Sequence, residues 1–261
     1  MNPSADIART AAELAGRIIL EAAGSGLPTD KGLPGDYVTQ VDLAAERAIA
    51  QILAERTPGV PMLGEEGGRS GDLGQQYWVV DPLDGTTNFL HGFPAVGVSV
   101  ALVKDGVPVA GAIHAPFLDE TYVGAAGEGA WLIRGSSEPR RLRVSTREPS
   151  RAIVGTGFPF RHKERLPRYL RALGGALERF EDLRRPGAAS LDLAWTAAGV
   201  FDGFFELGLA PWDVAAGGLL IQEAGGTVGD WDGENRWLDG DILAGSPAVH
   251  SDLLAIARAS A

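Results

Sequence analysis

Two aspartates stand three positions apart in the segment Val79 to Phe89, where an apolar run ends at a proline-containing corner. The carboxylates of Asp81 and Asp84 and the carbonyl of Leu83 are hard oxygen ligands of the kind Mg²⁺ prefers. Gly85 lets a ligand approach the backbone closely, and N–H groups at a helix start favour phosphate oxygens. The segment therefore indicates a place where a cation and a phosphate meet. Taken alone, it is equally well explained by Asp84 as the N-cap of a helix.

Two other segments carry carboxylates that could join this corner. Paired glutamates usually lie on the solvated surface, but Glu65 and Glu66 follow a short apolar run and lie between glycines, which raises the chance that one of them faces a site. Asp213 precedes a helix whose first residues are small, so it is either an N-cap or, if this helix packs on the Asp84 corner, a third metal ligand. Each pair of carboxylates about 4 Å apart costs about 4 kcal/mol at an effective dielectric near 20. Such a cluster requires divalent cations to neutralise it.

Composition narrows the class of chemistry. The 261 residues include no cysteine, which excludes disulfides, cysteine-ligated zinc and cysteine-based phosphatases. The net charge of -11 argues against nucleic acid or an anionic membrane as a partner, so a phosphate substrate requires metal ions to supply positive charge locally. The sequence shows neither a signal peptide nor a run of about 20 apolar residues. We expect a cytoplasmic protein.

The elements that position these residues fall into two halves. Residues 1–145 begin with two amphipathic helices, over 4–24 and 42–56, and continue as short strands joined by turns, which predicts an antiparallel sheet. Thr39 or Asp42 would cap the second helix. Residues 146–261 alternate strands with helices, which is typical of an α/β arrangement. We predict an α+β fold in which the two halves form one catalytic unit.

Three motifs, in order and at matching spacing, resemble the inositol monophosphatase family of Mg²⁺-dependent, lithium-sensitive phosphatases. They are Gly64-Glu65-Glu66, Asp81 to Phe89, and Trp212-Asp213 followed by Glu223-Ala224-Gly225-Gly226. The resemblance covers roughly Lys31 to Gly226. It implies a layered αβαβα sandwich shared with fructose-1,6-bisphosphatases, and two to three Mg²⁺ ions as cofactor.

The resemblance also implies roles for single residues. The metal ligands would be Glu65, Asp81, the Leu83 carbonyl, Asp84 and Asp213. The catalytic residues would be Glu65, Thr86 and Asp84, with Glu65 and Thr86 orienting the attacking water. The substrate contacts would be Gly85 and Thr86 to the phosphate, and Asp84, Ala189, Glu206 and Asp213 to the alcohol. Asp42 would stand behind the metal site, and Lys31 in a loop that closes near it.

For function, the resemblance implies hydrolysis of myo-inositol 1-phosphate to inositol and phosphate, with a homodimer as the expected assembly. Fructose 1,6-bisphosphate or another sugar phosphate is an alternative substrate, because Pro186 and Ala188 depart from residues common in bacterial members and leave the alcohol contacts open. A second alternative is a binding role with the transcription machinery, for which the arginine-rich segments 134–151 and 161–171 could serve. With the net charge of -11, solvated surface explains these segments better.

Overall fold

The structure is a computed structural model that describes residues 2–23, 28–30 and 37–261. Lys31, which the resemblance places in a loop near the metals, lies outside the described residues, and its role stays a prediction.

Seven α-helices and fifteen strands form in the described residues. The helices are α1 (Pro3–Glu21), α2 (Gln40–Arg56), α3 (Thr86–His91), α4 (Leu166–Arg179), α5 (Ala189–Ala197), α6 (Pro211–Glu223) and α7 (Pro247–Ala259). The strands are β1 (Pro28–Asp30), β2 (Tyr37–Thr39), β3 (Met62–Gly64), β4 (Gly68–Arg69), β5 (Gln76–Asp84), β6 (Gly97–Lys104), β7 (Val107–Ala115), β8 (Glu120–Ala125), β9 (Gly129–Arg134), β10 (Arg140–Arg141), β11 (Ile153–Thr156), β12 (Asp182–Arg184), β13 (Gly203–Glu206), β14 (Thr227–Gly229) and β15 (Ile242–Gly245). Short 3₁₀ turns lie at Pro116–Leu118, Pro149–Arg151, Lys163–Arg165 and Trp237–Asp239.

The first large sheet has eight strands in the order β10-β9-β8-β7-β6-β5-β3-β4. Neighbouring strands are antiparallel, as predicted, except that β3 and β5 run parallel. Against β6, the register of β5 shifts between Asp81 and Asp84. This irregularity turns both aspartates toward the site at the end of the strand, because a bulge redirects the side chains that follow it.

The second large sheet has five strands in the order β12-β11-β13-β15-β14. Strand β11 runs parallel to both β12 and β13, whereas β15 is antiparallel to β13 and β14. The predicted α/β character of the second half is therefore confirmed for its first three strands, and an antiparallel pair completes the sheet.

The layers follow from which helix faces which sheet. Helices α1 and α2 pack on the first sheet, α5 and α6 lie between the sheets, and α4 and α7 pack against each other beside the second sheet. This confirms the αβαβα sandwich. Small residues allow close contact in the middle layer: a Cβ added to Gly217 of α6 would lie 2.4 Å from the Cβ of Leu193 in α5. The small-residue face of α6 thus brings its first turn close to the end of β5.

Two further observations bear on organisation. Among the described residues, no helix is both long and apolar enough to cross a membrane. The first sheet ends at Arg141 and the second begins at Ile153, so the boundary at 145/146 falls between the sheets and stays a prediction.

Candidate metal and phosphate site

Three aspartates from distant parts of the chain converge. Asp81 and Asp84 lie at the end of β5, and Asp213 lies in the first turn of α6. One carboxylate oxygen from each lies within 4.8 Å of the others. In the sequence, a hypothesis about helix packing and the family resemblance linked Asp213 to the corner, and the fold brings the three residues together.

Asp84 is not the N-cap of the following helix, contrary to the local alternative. It is the last residue of β5, and Gly85 takes the cap position of α3 with a φ of 90°. A Cβ at Gly85 would also lie 2.8 Å from the carbonyl oxygen of Ala95, so both the backbone angle and the space favour glycine. The Oδ2 atom of Asp84 instead accepts hydrogen bonds from Ser190, at 2.7 Å from its backbone N–H and 2.6 Å from its hydroxyl.

Asp213 is likewise not an N-cap. The cap residue of α6 is Ala210, and the backbone N–H of Ala210 donates to Oδ2 of Asp213 at 2.7 Å. The Ser99 hydroxyl of β6 donates to the carbonyl of Trp212 at 2.9 Å, which ties this end of α6 to the first sheet. The hydrogen bond from Ala210 therefore fixes the carboxylate of Asp213, a residue that lines the cleft.

The three carboxyls share an unfavourable electrostatic environment. Burial, followed by the charges of Glu65, Asp84 and Asp213, raises the pKa of Asp81 well above its usual range. Burial also raises the pKa of Asp84 to about 6, which the hydrogen bonds from Ser190 oppose. For Asp213, burial and the charges of Asp84 and Glu65 raise the pKa to about 8. The cluster resists full ionisation without a compensating charge.

This donor set fits a hard divalent cation. The ligand atoms are carboxylate oxygens, and no basic side chain forms an ion pair with the three aspartates in the described region. A divalent ion would remove their mutual repulsion. Glu65 lines the same cleft but is not in the group within 4.8 Å, and Leu83 also lines the cleft.

Thr86 is held by a chain of hydrogen bonds that begins in α2. Its hydroxyl lies 3.2 Å from Oδ1 of Asp42 and 3.3 Å from the carbonyl oxygen of Leu83. Oδ2 of Asp42 accepts from the backbone N–H of Thr39 at 2.8 Å and from its hydroxyl. The two residues form the capping box of α2, with Thr39 as the N-cap and Asp42 as the third residue of the helix. Of the two predicted alternatives for the cap, Thr39 is therefore confirmed, and Asp42 contacts Thr86 directly.

Glu46 holds the loop that carries Glu65. Its buried carboxylate accepts from the backbone N–H groups of Glu66 at 2.9 Å and Gly67 at 2.7 Å. Glu46 was not predicted from the sequence. Its position could have been found from the spacing of buried residues along α2, which places Asp42 and Glu46 on the same face as Ile49 and Leu53.

Helix α5 and strand β13 form one wall of the cleft. Ala189 and Glu206, for which substrate contacts are predicted, line the cleft together with Gly85 and Thr86. The cleft has a volume of about 380 Å³. Sequence reasoning missed Ser190 and Asp192, which lie on α5 beside these residues. Local sequence holds no signal for Ser190, because its partner Asp84 is 106 positions away.

The comparisons with known proteins agree with this geometry. The model of the inositol monophosphatase family matches residues 1–261. The chain belongs to this family. An inositol-1-monophosphatase from Mesorhizobium japonicum is 45% identical over 224 residues, covering 85% of this chain and 82% of the relative. The Nus factor SuhB of Escherichia coli is 41% identical over 264 residues, covering 99% of this chain and 97% of the relative.

The family's fold extends over nearly the whole chain. The structure of an inositol monophosphatase from Anabaena matches with a TM-score of 0.85 and 35% identity, covering 97% of this chain and 94% of that one. The predicted family and fold class are therefore confirmed. Membership in this family supports phosphatase activity and Mg²⁺ dependence in general. The roles assigned to single residues stay predictions.

The raised pKa values predict that the metal-free protein loses stability as the pH rises. An acid whose pKa is higher in the folded state binds more protons there than in the unfolded state, so folding is favoured at low pH. For Asp213, the loss should develop between its unfolded pKa of 3.8 and its folded value of about 8. Thermal unfolding in EDTA would measure it. The Tm of Asp213→Asn should fall less with pH, and parallel curves would contradict the prediction.

Replacing Glu46 with Gln should destabilise the protein by about 1–3 kcal/mol, because an amide group would face a backbone N–H that now donates to a carboxylate. Turnover should also fall about tenfold as the loop that carries Glu65 loses its anchor. Urea unfolding and a phosphate-release assay measure the two effects. Glu55→Gln, at an exposed position of the same helix, is the control, and equal behaviour of the two variants would contradict the role of Glu46.

Proposed function

We propose that this protein is a Mg²⁺-dependent phosphomonoesterase that hydrolyses myo-inositol 1-phosphate. The observation that carries the proposal is the convergence of Asp81, Asp84 and Asp213 beside Gly85 and Thr86 in one cleft. A set of buried carboxylates that repel one another makes sense as a cation site, and the adjoining start of α3 offers N–H groups without partners inside the helix. A cation and a phosphate would therefore meet at this corner.

The residues that would hold two to three Mg²⁺ ions are Glu65, Asp81, the Leu83 carbonyl, Asp84 and Asp213. When bound, the ions supply positive charge that polarises the phosphate and lowers the pKa of water. Glu65 is half-buried at the cleft, where its carboxylate can accept a proton from the attacking water. Thr86, held by Asp42, orients this water through its hydroxyl oxygen. The scheme has no phosphoenzyme.

The phosphate and the alcohol of the substrate would contact different sides of the cleft. Backbone N–H groups of Gly85 and Thr86 would donate to the phosphate oxygens. Asp84, Ala189, Glu206 and Asp213 would contact the alcohol. Burial and the charges of Asp213 and Asp84 raise the pKa of Glu206 well above its usual range, and Arg185 opposes them. A carboxyl in this environment is a strong hydrogen-bond partner for a hydroxyl group.

A panel of phosphate esters tests the proposal. The purified protein is incubated with myo-inositol 1-phosphate, fructose 1,6-bisphosphate and glycerol 2-phosphate, each with Mg²⁺, with Mg²⁺ and Li⁺, and with EDTA. We expect Mg²⁺-dependent release, inhibition by Li⁺ and the highest kcat/KM for the inositol ester. A higher kcat/KM for fructose 1,6-bisphosphate would favour the alternative substrate. Absence of release from every ester would overturn the phosphatase assignment.

A role in binding the transcription machinery is the second candidate, because a relative that is 41% identical over nearly the whole chain is named a Nus factor. A pull-down with the Asp84→Asn variant separates binding from turnover. Specific capture of RNA polymerase factors by this variant would support the second role.

We also propose that the protein is a homodimer and that it is located in the cytoplasm. Light scattering of the purified protein tests whether it is a dimer.

A further inference from the structure

Asp192 is a buried acid that the roles above leave unused. It lies in the first turn of α5, is 1% exposed and lines the cleft. Its Oδ1 atom is buried and has no hydrogen-bond partner among the described residues. An unsatisfied buried polar atom costs free energy, so folded proteins keep few of them. Because Asp192 lines a ligand cleft, a bound molecule could supply a donor to its carboxylate.

The surroundings of Asp192 define which donor fits. The charges that act on it are those of Asp84 and Glu206, which disfavour its ionisation, and Arg185, which favours it. The guanidinium of Arg185 lies over the rings of Phe158 and Phe160, at 5.3 Å from each centroid. Two acids on neighbouring elements therefore line the cleft, and the guanidinium of Arg185 contacts aromatic rings.

The carboxylate of the second acid, Glu206, lies where Gly157 has no side chain. A Cβ added to Gly157 would lie 2.1 Å from both oxygens of the Glu206 carboxylate, so only glycine leaves room for that carboxylate in its present place. Asp192 and Glu206 both line the part of the cleft formed by α5 and β13. Hydroxyl groups of a bound molecule can donate hydrogen bonds to such a pair of acids.

We infer that Asp192 is a substrate-binding residue whose carboxylate accepts a hydrogen bond from a hydroxyl of the alcohol, beside the hydroxyl bound by Glu206. This inference rests on the proposed phosphatase function and deepens it. It also explains why an acid without a partner is retained in the core, because a site built for binding keeps groups that the fold alone would not favour.

Asp192→Ala tests the inference with two esters of different alcohols. myo-Inositol 1-phosphate offers hydroxyl groups, and 4-nitrophenyl phosphate offers none. We expect kcat/KM to fall about 10- to 100-fold for the inositol ester and less than about threefold for the aryl ester. Asp192→Asn, which keeps an acceptor oxygen, should restore part of the loss.

Asp202→Ala is the matched control. Asp202 is also 1% exposed, but its carboxylate accepts from the backbone N–H of Ile153 at 2.7 Å and from Arg147 at 2.9 Å. Its removal should lower the Tm and leave the ratio of kcat/KM between the two esters unchanged. The Tm of Asp192→Ala should fall less than that of the control, because no hydrogen bond to Oδ1 is lost.

Three outcomes are distinguishable. A loss confined to the inositol ester supports the inference. Equal losses on both esters, or a lowered Tm with an unchanged ratio, overturn the inference and leave the phosphatase function standing. If the unmodified protein releases phosphate from neither ester, both the proposed function and the inference are overturned.

Discussion

Replacing Asp84 with Asn is expected to abolish Mg²⁺-dependent phosphate release, by at least about 1,000-fold, while the protein stays folded. A loss of this size corresponds to about 4 kcal/mol of transition-state stabilisation. The change removes one negative charge from the cluster of Asp81, Asp84 and Asp213 but keeps the shape of the side chain. The amide oxygen can still accept from Ser190, so the corner at the end of β5 should keep its position.

Phosphate release with Mg²⁺, thermal unfolding and circular dichroism together measure this prediction. The Tm in EDTA should stay equal or rise, because the variant relieves repulsion among buried acids. Asp252→Asn, in the exposed ion pair with Arg179, serves as the control and should retain full activity. Retained turnover in a well-folded Asp84→Asn protein would contradict the assignment of Asp84 as a metal ligand.

Glu65→Gln should lower kcat by about 100- to 10,000-fold, the range typical of a lost proton acceptor. Gln has nearly the same shape but cannot take a proton from water. The loop should stay in place, because it is anchored by the backbone N–H groups of Glu66 and Gly67 on Glu46 and by the N–H of Glu65 on the Val80 carbonyl.

The neighbouring substitution Glu66→Gln is the control for this prediction. Its backbone N–H still donates to Glu46, so the loop is unchanged while Glu65 remains. The assay is phosphate release at saturating myo-inositol 1-phosphate and Mg²⁺ across pH. Similar kcat values for the two variants would show that Glu65 takes no part in proton transfer.

The local predictions succeeded where neighbours along the chain decide the structure. The capping residues Thr39 and Asp42 are an example, since both partners of the capping box lie within one turn. The alternative in which Asp84 and Asp213 cap helices was wrong, because another residue takes the N-cap position of each helix. The position of Asp84 depends on Ser190, which no local pattern connects to it.

The sequence alone determined the donor types, the motif around Asp81 and Asp84, and the family to which they belong. These depend only on residue types and on short spacings, both of which can be read directly from the sequence. Only the tertiary structure brought Asp213 to the other two aspartates, placed Glu46 against the Glu65 loop, and set Asp192 in the cleft wall with its Oδ1 unpaired among the described residues. Such relations join residues through helix packing and burial. They exist only once small side chains let α5 and α6 approach each other and the end of β5.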